Sequence, residues 1–136
     1  MTEQLQEAIA VLCDELGLPT AQINSSGLYI VRVDGKELRI LTLRDGKVVL
    51  LGVIGVLATI AESRRESADS LLRNCLILHG ARLERLGTPE VLTLDDTELV
   101  LWRKFEPFGI SISEFLQASE SVLNEVEFWQ NWLSAA

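Results

Sequence analysis

Three strand-like segments that are apolar on both faces constrain this chain more than any other feature. Asp34-Gly35 separates residues 28–33 from residues 36–44, and Asp45-Gly46 separates those from residues 47–56. Asp-Gly between apolar runs is the strongest short-range hairpin signal, because a type I′ turn requires positive φ at both central residues. Two-residue turns set Val33 opposite Lys36 and Arg44 opposite Lys47. On that register one face carries Tyr29, Val31, Val33, Leu38, Ile40, Val49, Leu51 and Val53. The other carries Leu28, Ile30, Leu41, Leu43, Val48, Leu50 and Ile54, with Arg32 opposite Glu37. An antiparallel meander with one wet face alternates apolar and polar side chains. This one has two faces to cover. Either helices of its own cover both, or one face is left for another chain.

The charge narrows the choice of partner. The formal net charge is -8, which argues against nucleic acid, since the phosphate backbone calls for clustered Lys and Arg. It argues equally against an anionic membrane surface. Two readings of the charge remain: solubility for a sticky chain, or steering of a basic partner segment. The longest apolar stretch, residues 48–61, is shorter than the roughly 20 residues a membrane-spanning helix needs and contains two glycines. No basic region precedes the first amphipathic helix, so no secretion signal is expected. Cys13 and Cys75 lie in separate helical patterns and are expected as buried thiols in a cytoplasmic protein.

The remaining elements follow from periodicity and caps. Leu5, Ile9, Leu12 and Leu16 predict a helix over residues 2–16, ended by Gly17 and Pro19. Residues 20–26 form a polar connection. Residues 57–63 either extend the third strand or open a helix. Ser63 with Glu66 is a capping-box pattern that starts a second helix there, with Ala68, Leu71, Leu72, Cys75 and Leu76 as its stripe and Gly80 as its stop. Residues 82–87 read as a charged connection. A hairpin of residues 90–94 and 97–105 turns at Asp95-Asp96, and Pro107 and Gly109 close it. Ser111 with Glu114 opens a last helix bearing Phe115, Val122, Val126 and Trp129. The expectation is one α+β domain over residues 1–136, in the order α-β-β-β-α-β-β-α, with a twisted antiparallel sheet and three helices.

No catalytic constellation stands out. His79 is the only histidine, and it falls near a helix C-terminus, where an imidazole suits the carbonyls. One histidine with two distant cysteines makes no zinc site, so neither a metal nor a cofactor is expected. Asp95, Asp96 and Glu98 suit a solvated turn. Gly52-Val53-Ile54-Gly55 lacks the spacing and the Lys of a phosphate loop, and its glycines suit relief of a crowded strand or close approach by another backbone. Trp102, Trp129 and Trp132 read as packing residues.

The element order resembles that of the class I chaperones of bacterial type III secretion, as do the small size, the acidity and the terminal helix. The glycine-interrupted strand 48–57, the helix with Leu71-Leu72-Arg73-Asn74, the strand end Leu99-Val100-Leu101-Trp102-Arg103-Lys104-Phe105 and the segment from Ser113-Glu114-Phe115-Leu116 to Trp129-Gln130-Asn131-Trp132 carry the likeness. The charged connection at 82–87 departs from the family pattern. The resemblance implies a cytoplasmic bacterial homodimer that holds the N-terminal segment of a secreted effector in a non-globular path. It implies strand addition, no catalysis, and delivery to the secretion ATPase. It places the two-fold interface on the second helix and fourth strand, at Leu71, Leu72, Cys75, Leu76, Leu92 and Leu94.

The two-faced sheet then has a reason. One face, expected as Tyr29, Val31, Ile40 and Leu51, packs under the helices. Its opposite, expected as Leu28, Ile30, Arg32, Leu41, Leu43, Val48 and Leu50, receives the effector; the reverse assignment is the alternative. Two rivals stand beside this reading: an adaptor or regulatory subunit of the same fold outside secretion, and a small-ligand protein or enzyme, which needs a pocket with convergent polar groups.

Overall fold

The computed structural model describes residues 2–18, 28–43, 47–87, 89–105 and 111–135. The elements are α1 (Thr2–Glu15), β1 (Leu28–Val33), β2 (Lys36–Thr42), β3 (Val48–Val56), α2 (Leu57–Arg64), α3 (Ala68–Leu86), β4 (Val91–Asp95), β5 (Glu98–Phe105) and α4 (Ile112–Ser134). The α+β class and the five-stranded antiparallel sheet are as expected, in the order β1-β2-β3-β5-β4. The fourth helix is an addition. Residues 57–63, left open between strand and helix, form α2. The second long helix is capped by Ser67, whose Oγ accepts from Ser70 N–H, and not by Ser63. It runs through Gly80 to a left-handed C-cap at Gly87, so the expected charged connection at 82–87 is helical. Arg82 holds that extension to α4: its Nη2 donates to Glu125 Oε1 at 2.7 Å, and its guanidinium lies 3.5 Å from the Phe128 ring centroid. These contacts outweigh the roughly 1 kcal/mol that a mid-helix glycine costs relative to alanine.

The first hairpin forms as read. Val33 pairs with Lys36 across Asp34 and Gly35, both at positive φ (49° and 76°). The second Asp-Gly pair, Asp45-Gly46, lies outside the described residues, but the strands on either side fix the connection length. Leu43 N–H donates to the Lys47 carbonyl, and Thr42 pairs with Val48. Three residues, 44–46, therefore separate the paired ends instead of the two expected. A slip of one residue turns every side chain of a strand to the other face. Val48 and Leu50, expected on the open face, are buried in the core, and Leu51, expected in the core with Val49 and Val53, lies on the opposite face. The third hairpin also moves by one: Asp95 pairs with Glu98, and the turn residues are Asp96, at φ 55°, and Thr97.

The core lies between one sheet face and the helices. Tyr29, Val31, Leu38, Ile40, Leu50, Ile54, Leu99 and Leu101 meet Ile9 and Leu12 of α1 and Phe115, Val122, Val126 and Trp129 of α4 in one apolar cluster. Burying each large side chain contributes about 1.5–3 kcal/mol. The glycine of β3 sets the spacing. A Cβ on Gly52 would stand 2.5 Å from Val126 Cγ2 and 2.8 Å from Val122 Cγ1, so the expected close approach is that of α4. α4 begins at Ser111, whose Oγ accepts from Glu114 N–H, as its capping pattern predicts. Its far end is held by Arg64, whose Nη1 donates to the carbonyls of Leu133 and Ala135 at 2.8 and 2.9 Å.

Candidate functional site

With α1 and α4 on the Gly52 face, the opposite face of the sheet carries Leu28, Ile30, Arg32, Glu37, Arg39, Leu41, Val49, Leu51, Val53 and Trp102. Leu28, Ile30, Leu41, Val49, Leu51, Val53 and Trp102 are half-buried, neither enclosed by the chain nor fully wet, and Leu43 at the strand end is exposed. Among the described aliphatic residues of this face, Val100 alone is fully buried, between Val53 and Thr93 in the register. The five expected residues Leu28, Ile30, Arg32, Leu41 and Leu43 thus share one surface. Val48 and Leu50 do not, at 4% and 0% exposure. Val49, Leu51, Val53 and Trp102 complete the surface and were missed, because the register of β3 hides in a connection one residue longer than its Asp-Gly pair implies.

A polar ribbon crosses the apolar surface, with Arg39 standing between Ile30 and Leu51 and Glu37 between Arg32 and Val53. Arg39 Nε donates to Glu37 Oε2 at 2.6 Å, and its Nη1 and Nη2 donate to the two carboxylate oxygens of Glu98 at 2.9 and 3.2 Å. The Glu98 fork, ahead of the cost of burial, holds the Arg39 pKa above its ordinary value. Arg32 Nε donates to Glu37 Oε1 at 3.0 Å, the cross-strand pair expected from the first turn. The fork is bidentate and half-buried, which fixes side-chain direction as well as charge.

The expected interface residues divide in two. Leu71, Cys75 and Leu92 are buried within the chain and present nothing to a partner. Leu72 is half-buried, while Leu76 and Leu94 are exposed. The helix adds Ile77 at 64% exposure and, beyond the expected end at Gly80, Leu83 and Leu86, the latter at 61%. Leu72, Leu76, Leu83 and Leu86 fall at spacings of four, seven and three, one stripe along a continuous helix. Val91 of β4 is exposed as well.

The candidate chemical groups are occupied by structure. His79 is buried inside α3, not at its end, and its Nε2 accepts from Leu92 N–H at 3.2 Å, closing a donor on the edge strand β4. Burial, ahead of the opposing field of Glu125, holds its pKa below the ordinary value. Cys13 and Cys75 are buried free thiols, and burial pushes the Cys75 thiol up to about 11. Among the described residues, no three His, Cys, Asp or Glu side chains gather as metal ligands do, and no helix is long and apolar enough to cross a membrane. Trp129 is enclosed in the core, the packing role read for it.

The comparisons with known proteins agree with this geometry. The model of the Tir chaperone protein (CesT) family matches residues 7–130. No curated protein sequence matches the chain. Among solved structures, the ExsC–ExsE complex superposes with a TM-score of 0.75 at 16% identity, covering 100% of this chain and 98% of that one. The HopA1–SchA chaperone–effector complex gives 0.64 at 16% identity, covering 96% and 98%. The Yersinia pestis type III secretion chaperone SycH, in complex with a fragment of YscM2, gives 0.56 at 16% identity, covering 91% and 98%. At such identities the superpositions establish a shared fold.

Proposed function

This chain belongs to the Tir chaperone protein (CesT) family, and from that membership we propose that it is a type III secretion chaperone. It holds the N-terminal segment of a secreted effector in a non-globular state, in the bacterial cytoplasm and without catalysis. The observation that carries this reading is the sheet face opposite α1 and α4. Leu28, Ile30, Leu41, Val49, Leu51 and Trp102 stand there around Arg39, half-buried and outside the core cluster that α1 and α4 cover. Each large aliphatic group gains about 1.5–3 kcal/mol when fully covered. Several together offset the ordering cost of a disordered ligand. β1 is an edge strand among the described residues, and strand addition there supplies backbone hydrogen bonds that tolerate varied cargo sequences. The test is expression of the chain together with the products of its neighbouring genes. Co-elution of one secreted protein through its N-terminal segment is expected. Stable co-elution with a folded regulatory enzyme instead would favour the adaptor reading.

The same proposal makes the protein a homodimer through α3 and β4, with delivery to the secretion ATPase as the family likeness implies. An exposed apolar helix stripe suits a two-fold contact, in which one patch meets its own copy. Leu72, Leu76 and Leu94 stay from the sequence-derived set, and Ile77, Leu83, Leu86 and Val91 join them. Leu76→Glu places an unpaired charge in that contact. Light scattering is expected to show a monomer's mass with an unchanged circular dichroism spectrum; an unchanged dimer mass would remove α3 from the interface.

A further inference from the structure

The net charge of this chain is not spread over it. α1 and α4 carry eight carboxylates and no Lys, Arg or His. The rest of the chain holds twelve acidic and twelve basic residues, so these two helices account for the whole formal charge of -8. They meet at a groove of about 310 Å³, where the end of α1 and the middle of α4 face the β1–β2 turn. Its apolar walls include Leu16, Val33 and Leu116, all half-buried and packed on the edge of the core. Its rim carries Glu15, Asp34 and Glu120, all exposed. Among the described residues, the one cation in its lining, Lys36, is turned to Glu127 at 4.0 Å.

We propose that this groove seats a basic amphipathic segment of the cargo, with an apolar side chain against Leu16, Val33 and Leu116 and flanking Lys or Arg side chains at Glu15, Asp34 and Glu120. The proposal rests on the chaperone reading for its partner, and it adds a second contact with its own selectivity, separate from the open sheet face. Charge complementarity selects the occupant. An acidic or neutral segment meets repulsion or nothing at a rim of three carboxylates, whereas a basic one is attracted before contact and held after it. Because the rim is exposed, its contribution falls as salt screens it.

The probe is a short labelled synthetic peptide with leucines at helical spacing and lysines between them, set against a counterpart with glutamate for lysine. The protein variant is Glu15→Gln with Asp34→Asn and Glu120→Gln. It removes the rim charge, and asparagine tolerates the left-handed backbone of position 34, at φ 49°. Fluorescence anisotropy is expected to show binding of the lysine peptide alone, weakened about tenfold by the triple variant at low salt, with most of the salt dependence gone. The methyl signals of Leu16, Val33 and Leu116 are expected to shift. Equal affinity in the triple variant, or shifts at Leu28, Ile30 and Leu41 instead, would overturn the proposal. So would binding that arises only after residues 20–26 are exchanged for glycine and serine, which would make the chain's own segment the occupant. Groove signals that move with protein concentration alone would put a second copy there and overturn it too. Cargo retained equally, at every salt concentration, by wild type and triple variant would remove the groove and leave the chaperone reading. A chain that retains no cargo would remove the chaperone reading, while the peptide measurement still decides the chemistry of the groove.

Discussion

The two faces of the sheet are made of nearly the same side chains and have opposite fates. Tyr29, Val31, Leu38, Ile40, Leu50 and Ile54 are buried; Leu28, Ile30, Leu41, Val49, Leu51 and Val53, their neighbours along the strands, are half-buried. Hydrophobicity does not separate them. What separates them is the face on which α4 lands, and Gly52 marks that face. It is the one position of β3 where Val122 and Val126 come closer than any side chain would allow. A missing side chain, as much as any present one, decides which surface becomes core and which is left to a partner.

Neighbouring residues of β3 give the sharpest way to break this contrast. Leu50→Ala leaves a cavity in the core and is expected to cost about 2–5 kcal/mol in urea unfolding. Leu51→Ala, one residue on, is expected to cost about 1 kcal/mol or less while weakening cargo retention. Equal losses would mean that both faces are core. Gly52→Ala comes next. The added Cβ pushes α4 off the sheet, and the expected loss is about 1–3 kcal/mol; an unchanged midpoint would show that α4 does not depend on the gap.

The smallest effect concerns the β4 edge. His79 accepts the Leu92 N–H only while neutral, and burial holds its folded pKa below the unfolded value of about 6.5. As pH falls through that value the unfolded chain takes up the proton first. The contribution of His79 is therefore complete above about pH 6.5 and is lost progressively below it. Glu125, Arg82 and Leu92 are the groups whose fields or bonds bear on it. Wild type is expected to lose more thermal stability than His79→Gln between about pH 7.5 and about pH 5.5. Parallel melting curves would show that His79 does not clamp the edge.

Most of the architecture was legible in the residues, and the losses have physical causes. The first turn, the cap at Ser111, the apolar face of α4 and the strand-relieving glycines follow from local rules and stand in the structure. The register of β3 was not legible, because its check is alternation. A strand apolar on both faces gives the same pattern at either parity, and only the hydrogen bond from Leu43 to Lys47 resolves it. The end of α3 misled for a different reason. Gly80 is a stop only if nothing holds the chain beyond it, and Arg82 meets Glu125 and Phe128 on a helix 43 residues away in sequence. That pairing is tertiary and leaves no local trace. The groove between α1 and α4 was visible only as a bulk charge until the topology set the two acidic helices side by side.

Cargo retention by Ile30→Asp with Leu51→Asp tests the central claim most directly, since both residues lie on the open face and neither enters the core. The account predicts a folded dimer with a wild-type circular dichroism spectrum that no longer co-elutes with its cargo. A folded double variant that retains the cargo as tightly as wild type would contradict it.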